Sequence, residues 1–84
     1  MIIGYKIKLD TIEKVKKFTS VVGTFDNDID IISGKYVVNA KSVIAIFSLD
    51  LMNVLKVIIH NASLNDVEKF EKAMEEFRIN ESNS

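Results

Sequence analysis

Hydrophobic and polar positions follow two different periods along the chain, and each change of period marks a new element. Ile3, Tyr5 and Ile7 alternate with small or charged residues, which is the period of a strand with one face in water. This predicts a first strand over residues 2–8. Beyond it the apolar spacing changes to three and four residues, the period of an amphipathic helix. The apolar positions of that helix are Ile12, Val15, Phe18 and Val22.

Residue types typical of helix ends bracket this first helix. Asp10 and Glu13 have the spacing of a capping box, whose side chains accept hydrogen bonds from free backbone N–H groups. Thr11 is the other candidate cap, because its hydroxyl can accept a bond from the first turn. Gly23 follows the last apolar position, where many helices end in a left-handed residue. We therefore expect Asp10 or Thr11 to cap the helix and Gly23 to terminate it in that conformation.

The middle of the chain predicts a hairpin. Residues 29–32 combine isoleucines with alternating aspartates, a pattern that favours a strand. Residues 33–35 have the composition of a tight turn, and residues 36–38 are again β-formers. The two strands are therefore expected to pair.

A short apolar segment follows the hairpin. Ser42 can cap a short helix that extends through Leu49, although the period alone also permits a buried strand here. As a helix, this segment has more apolar residues than one buried stripe can hold. We expect some of Val43, Ile44 and Phe47 to be exposed or covered by another chain.

The last two elements are a strand over residues 54–59 and a long amphipathic helix. The apolar residues of that helix lie at spacings of three and four: Leu64, Val67, Phe70, Met74 and Phe77. Either Ser63 with Asp66 or Asn65 with Glu68 has the spacing of a capping box at its start. Residues 1–80 are predicted to form one domain, and residues 81–84 a polar tail.

The order of elements is strand, helix, strand, strand, helix, strand, helix. This order predicts an α+β open-faced sandwich, in which helices cover one face of a four-stranded antiparallel sheet. Two common arrangements share the first six elements, one ferredoxin-like and the other with strand order 1-4-2-3. A ferredoxin-like domain binding a small ligand is therefore one alternative, and element order alone does not separate the two.

Composition restricts the chemistry that so small a domain can perform. The 84 residues carry a formal net charge of −1, contain no cysteine and include a single histidine, His60. We therefore expect no metal site and no nucleic-acid partner. We also expect a protein that needs no cofactor and is not an enzyme, although composition alone leaves its activity open. No apolar run approaches the roughly 18 residues that span a bilayer, so we expect a cytoplasmic protein without a membrane partner. A chain of this length buries roughly 60 to 65% of its unfolded surface, which favours a shallow site.

The segment between the hairpin turn and the short helix resembles the family of the histidine-containing phosphocarrier protein, HPr. The similar features are a Gly34-Lys35 turn, an Asn-Ala-Lys-Ser segment over residues 39–42 and a Ser-Leu pair at residues 48–49. Residues 25–31 are similar to the family's second strand. The resemblance implies strand order 1-4-2-3 and a relation to the bacterial phosphoenolpyruvate:sugar phosphotransferase system, which serves sugar transport.

The chain departs from the family at the phosphocarrier site itself. The family's histidine position falls on Thr11, its arginine position on Glu13 and the following proline on Lys14. Threonine would form a stable phosphoester instead of a labile phosphoramidate, and Glu13 would repel phosphate. His60 closes the fourth predicted strand, in the wrong element to substitute. These residues indicate a member without a phosphorylatable histidine, and no catalytic residue is assigned.

The resemblance also suggests what the chain binds. Ser42 matches a serine that a dedicated kinase phosphorylates in some members, so it is the phosphorylation candidate, whereas its plainest role is a helix cap. Val43, Ile44 and Phe47 match an apolar docking patch. We expect a regulatory or protein-interaction module whose partners are phosphotransferase-system components, a regulatory kinase, a transcriptional regulator or a second copy of the chain. The alternative within the same family is phosphotransfer that uses Ser42 or Thr11 as the acceptor.

Overall fold

Seven elements form the fold in the computed structural model, which describes residues 1–79. Residue 80, at the end of the predicted domain, and the predicted polar tail at 81–84 lie outside the described residues. Each element lies within three residues of the bounds expected from the hydrophobic pattern. The elements are β1 Ile3–Ile7, α1 Ile12–Val22, β2 Ile29–Ser33, β3 Tyr36–Asn39, α2 Val43–Phe47, β4 Leu55–Ile59 and α3 Leu64–Met74.

The four strands form one antiparallel sheet in the order β1-β4-β2-β3. This order confirms the expected open-faced sandwich and excludes the ferredoxin-like arrangement, which would have the order 4-1-3-2. The β2–β3 hairpin closes at Ser33 and Tyr36, with Gly34 in the turn at a φ of 59°. Glycine adopts this left-handed conformation without the steric cost that a Cβ would add.

Alternate strand residues and one stripe of each long helix form the core between the sheet and the helices. Phe18 contacts Phe77 edge to face at 5.4 Å, and Phe25 contacts Phe70 in the same way at 5.6 Å. Burying each such side chain contributes roughly 1.5–3 kcal/mol. The aromatic and methionine stripe predicted for the last helix is confirmed, because Phe70, Met74 and Phe77 are all buried.

Two positions of the predicted apolar stripes are exposed, and both are the first residue of a helix. Ile12 opens α1 and Leu64 opens α3, and both side chains are mostly exposed. Helical side chains lean toward the N-terminus, so a side chain in the first position points beyond the turn that packs on the sheet. The hydrophobic period identifies which face of a helix packs on the sheet, but it does not show how far along the helix that face remains buried.

Helix ends were predicted with mixed success. Ser63 and Asp66 form the expected capping box of α3. The cap of α1 is Thr11, so the predicted box of Asp10 and Glu13 is wrong. Gly23 does end α1, but with φ −63° it is right-handed, because its N–H and that of Thr24 bond to carbonyls of the last turn. A left-handed residue is therefore not needed to satisfy those groups.

Candidate functional site

The first turn of α1 begins at the hydroxyl of Thr11. This residue has an extended backbone, and its Oγ1 accepts a hydrogen bond from Lys14 N at 3.1 Å. The extended conformation turns the side chain back over the first turn, where backbone N–H groups have no partner within the helix. The position that the resemblance assigns to a phosphocarrier histidine therefore holds a helix cap.

Two carboxylates lie beside the first turn of α1. Asp10 Oδ1 lies 3.0 Å from Lys14 Nζ, and this hydrogen bond is the main reason that the pKa of Asp10 falls below its usual value. Glu13 is the acidic residue of the first helical turn. Negative groups here interact favourably with the positive end of the helix. The same charges oppose the approach of a phosphate.

α2 also begins at an N-cap residue with an extended backbone. Ser42 is extended, and its Oγ accepts a hydrogen bond from Ala45 N at 3.2 Å. This confirms the expected cap. The first turn of α2 contains no acidic residue, and apolar side chains follow the cap directly.

Three of those apolar side chains form a surface that we call the α2 patch: Val43, Ile44 and Phe47. They are 37%, 85% and 44% exposed, whereas Ile46 of the same helix is fully buried. Ile46 therefore anchors α2 on the core while the α2 patch faces outward. The exposure expected from the excess of apolar residues is present at all three positions.

The two helix beginnings belong to neighbouring helices. α1 and α2 contact each other, and α2 also contacts β3. Among residues 1–79, no hydrogen bond or ion pair joins Thr11 or Glu13 to Ser42. Thr11 and Ser42 therefore act as separate caps and not as parts of one polar cluster.

His60 has a partner that the sequence analysis did not identify. Its Nε2 lies 2.9 Å from Asp30 Oδ2, and both side chains are about one-third exposed. Asp30 pairs with Ile58 across β2 and β4, so the two-residue strand period places Asp30 and His60 on the same face of the sheet. That face is opposite the buried residues Ile29, Ile31 and Ile59. His60 therefore lies across the sheet from the helices that carry Thr11 and Ser42.

A groove beside the hairpin was also not predicted as a binding feature. It has a volume of about 720 Å³ and is lined by Ser33, Tyr36, Val38, Leu49 and Val54, among others. The only sequence signal for it is the position of Tyr36 directly after the turn, which leaves an aromatic residue at the tip of a hairpin.

Two other classes of site were sought in the part of the chain that the structure describes. Within residues 1–79, no group of three or more histidine or acidic side chains could hold a metal ion. None of the helices in that range is both long and apolar enough to cross a membrane.

Comparison with known proteins identifies the fold. No family model and no curated protein matches the chain. Among the solved structures that are similar to the chain, two cover nearly all of it. HPr-C-His from Thermoanaerobacter tengcongensis has a TM-score of 0.69 and 22% identity, covering 89% of this chain and 91% of its own. A phosphocarrier protein HPr from Bacillus anthracis str. Ames has a TM-score of 0.71 and 17% identity, covering 92% and 98%.

These two likenesses agree with the strand order. At 17% and 22% identity they establish the HPr-like open-faced sandwich fold. A shared fold hosts many functions, so the activity has to be argued from the residues of this chain.

Proposed function

We propose that this protein is a regulatory or protein-interaction module that binds other proteins through α2 and carries no phosphate on a histidine. Its partners are components of a phosphotransferase system, a regulatory kinase or a transcriptional regulator, and it works in the cytoplasm without catalysing a reaction. The observation that carries the proposal is the exposure of Val43, Ile44 and Phe47 directly beside the cap Ser42.

The α2 patch has the features of a docking surface. Contiguous exposed apolar side chains on a small protein favour an interface, because their removal from water on binding is favourable. Phe47 supplies the largest apolar side chain of the three. The buried Ile46 holds the helix in place, so a partner meets a surface that is already ordered and loses less entropy on binding.

Histidine phosphotransfer is disfavoured by the chemistry at the start of α1. Thr11 Oγ1 is engaged by Lys14 N, and a phosphoester on that oxygen would be too stable to pass its phosphoryl group on. Asp10 and Glu13 add negative charge where an incoming phosphate would lie. The one histidine of the chain, His60, is on the other face of the sheet.

Ser42 is the residue through which a kinase would regulate docking. Phosphorylation adds nearly two negative charges at the positive end of α2, which the helix tolerates. The same charges lie beside the α2 patch, and docking would then require their desolvation. Phosphorylated Ser42 is therefore expected to weaken the binding of a partner while the fold persists.

Transfer is tested by incubating the protein with phosphoenolpyruvate and the first enzyme of the phosphotransferase system, followed by intact mass spectrometry before and after acid treatment. An HPr that carries its histidine is the positive control. We expect no acid-labile phosphate on this chain. Acid-labile phosphate would contradict the proposal, and an acid-stable phosphate on Ser42 or Thr11 would favour the alternative acceptor.

Docking is tested by nuclear magnetic resonance titration of the labelled protein with a purified HPr-directed serine kinase. We expect amide shifts to be concentrated on α2, and Phe47→Ser to weaken binding by about tenfold or more, as for a central aromatic contact. Ile12→Ser is the matched control, because it removes an exposed apolar side chain from another helix. Shifts confined to the open face of the sheet, or equal effects of the two variants, would contradict an α2 interface.

A further inference from the structure

The two edge strands of the sheet differ in how their outer backbone groups are satisfied. β1 is covered by the segment after α3: Lys8 N donates to Phe77 O at 3.0 Å, and Ile79 N donates to Lys6 O at 3.2 Å. Arg78 in the same segment stacks over the ring of Tyr5, with 4.4 Å from its guanidinium carbon to the ring centroid. Within residues 1–79, no segment pairs with the outer side of β3 in this way.

The register determines which groups of β3 point outward. Ala40 N donates to Ile29 O at 2.9 Å, so this pair is hydrogen-bonded, and the pairs alternate along an antiparallel ladder. Val38 and Tyr36 therefore bond to β2, whereas Val37 directs both its N–H and its C=O away from the sheet. Asn39 directs its N–H outward as well, while its carbonyl already accepts a bond from Ser42 N.

Two side chains of this edge are apolar and mostly exposed. Tyr36 is 70% exposed and Val37 is 61% exposed. Natural edge strands are shielded by short length, lysine side chains, proline, a bulge or an inward-pointing charge. β3 is short, with four residues, and Lys35 precedes it, but the other three devices are missing from it. The chain contains no proline, and β3 pairs with β2 without an interruption of the register. An unpaired strand of this kind accepts another extended strand.

We propose that β3 pairs antiparallel with β3 of a second copy of this chain, with Val37 opposite Val37, so that two sheets join into one of eight strands. The two valines then exchange a reciprocal pair of hydrogen bonds across the two-fold axis. In this register Tyr36 lies opposite Val38 of the second copy, at a position where side chains approach closely. Such aromatic and β-branched cross-strand pairs are favourable.

Charge is compatible with the pairing of two copies in this register and disfavours one neighbouring register. Lys35 lies opposite Asn39 of the second copy, so no like charges face each other across the new ladder. Shifting the axis by one residue, to Val38, would place Lys35 opposite Lys41 of the second copy and repel. With a formal net charge of only −1 on each chain, the two copies oppose each other little.

The inference is independent of the proposed docking role of α2. The hydrogen-bonding edge belongs to β3, and the α2 patch belongs to a different element. A dimer formed through the α2 patch would therefore depend on Ile44 and not on Val37. This difference allows the two surfaces to be separated by mutation.

Sedimentation equilibrium over roughly 10 μM to 1 mM tests the proposal, with the full chain and two variants. Val37→Pro removes the outward donor of β3 while leaving the bonds of Tyr36 and Val38 to β2 intact. Ile44→Lys places a charge on the α2 patch as the matched control. We expect a species of twice the 9.5 kDa chain mass. Val37→Pro should lower its association constant about tenfold or more, and Ile44→Lys should leave that constant unchanged.

A second measurement uses the unmutated protein, so that the test does not depend on whether the Val37→Pro variant folds. The amide hydrogen of Val37 should exchange more slowly as protein concentration rises, because it becomes a ladder donor only in the dimer, whereas the amide of Ile44 should be unaffected. A monomer throughout the concentration range, a dimer insensitive to Val37→Pro, a dimer disrupted by Ile44→Lys, or concentration-independent exchange at Val37 would each overturn the proposal.

Discussion

α1 and α2 both begin at an extended residue whose hydroxyl caps the helix, but the residues around the two caps differ. Thr11 and Ser42 both cap a helix with a hydroxyl that accepts a bond from an N–H of the first turn. α1 then continues with charged residues, and Asp10 and Glu13 bring negative charge to its positive end. α2 continues with apolar residues that face outward.

The comparison shows that a helix N-terminus is not by itself an anion site. The positive end of a helix attracts anions only when neighbouring side chains leave room and do not supply the negative charge themselves. At α1 the first turn already has its own carboxylates, so an external phosphate gains little. At α2 the residues after the cap favour contact with another apolar surface. Similar local geometry therefore leads to different expected functions.

The largest expected contrast concerns phosphate chemistry at α1. Thr11→His alone should accept no detectable acid-labile phosphate from phosphoenolpyruvate and the first enzyme, because Glu13 still opposes the charge. Combining it with Glu13→Gln should raise the amount accepted. Intact mass before and after acid treatment measures both variants, and efficient transfer by the single variant would show that Glu13 matters little.

The next effect concerns the two sides of α2. Ile46→Ala should lower the free energy of unfolding by about 2–5 kcal/mol, because it leaves a cavity where the side chain is fully buried. Ile44→Ala removes the same atoms from an exposed position and should change it by about 0.5 kcal/mol or less. Urea unfolding of both variants measures the difference. Equal losses would mean that the α2 patch is part of the core.

The two caps should have similar and moderate effects. Thr11→Ala and Ser42→Ala each remove one acceptor for a first-turn N–H and should each cost about 1 kcal/mol. Urea unfolding of the two variants measures both losses, and Ser20→Ala, at an exposed position within α1, is the control. A much larger loss at one helix would indicate that its hydroxyl has a role beyond capping.

Replacing one cap by another should have a smaller effect on stability. Ser42→Asp keeps an acceptor at the start of α2 and adds charge at its positive end, so the melting temperature should stay within about 4–8 °C, the shift for roughly 1 kcal/mol in a domain of this size. Calorimetry measures the shift. In the kinase titration the same variant should bind more weakly than the unmodified chain, and unchanged binding would contradict regulation at Ser42.

The smallest effect is the acid dependence of the α1 beginning. The hydrogen bond from Lys14 lowers the pKa of Asp10 in the folded protein. Its stabilising contribution is therefore present above the unfolded pKa of about 3.9 and is lost as pH falls through the lower folded value. Below about pH 4, the free energy of unfolding should therefore fall less steeply with decreasing pH in Asp10→Asn than in the unmutated protein. Ser42→Ala should leave that decline unchanged, because the first turn of α2 has no acidic residue.

Much of the fold was predictable because hydrophobic period and capping chemistry are local. The buried positions Val15, Phe18 and Val22 follow directly from a spacing of three and four residues. The caps Ser42 and Ser63 follow from the residue types that precede an apolar run. The partner of His60 was not predictable in this way, since Asp30 is 30 residues away and meets it only through the β2–β4 register.

The sequence by itself determined six of the seven elements, the apolar face of the two long helices and the absence of a histidine at the start of α1, because these depend on residue type and near neighbours. It left α2 open between a helix and a buried strand. Tertiary structure decided the order of the strands and which apolar residues remain in water. Ile44 and Ile46 have the same side chain and are two residues apart, yet Ile46 is fully buried in the core and Ile44 is 85% exposed. Tertiary structure also decided that, within residues 1–79, the β1 edge is paired and the β3 edge is open, because coverage depends on where the segment after α3 lies in space.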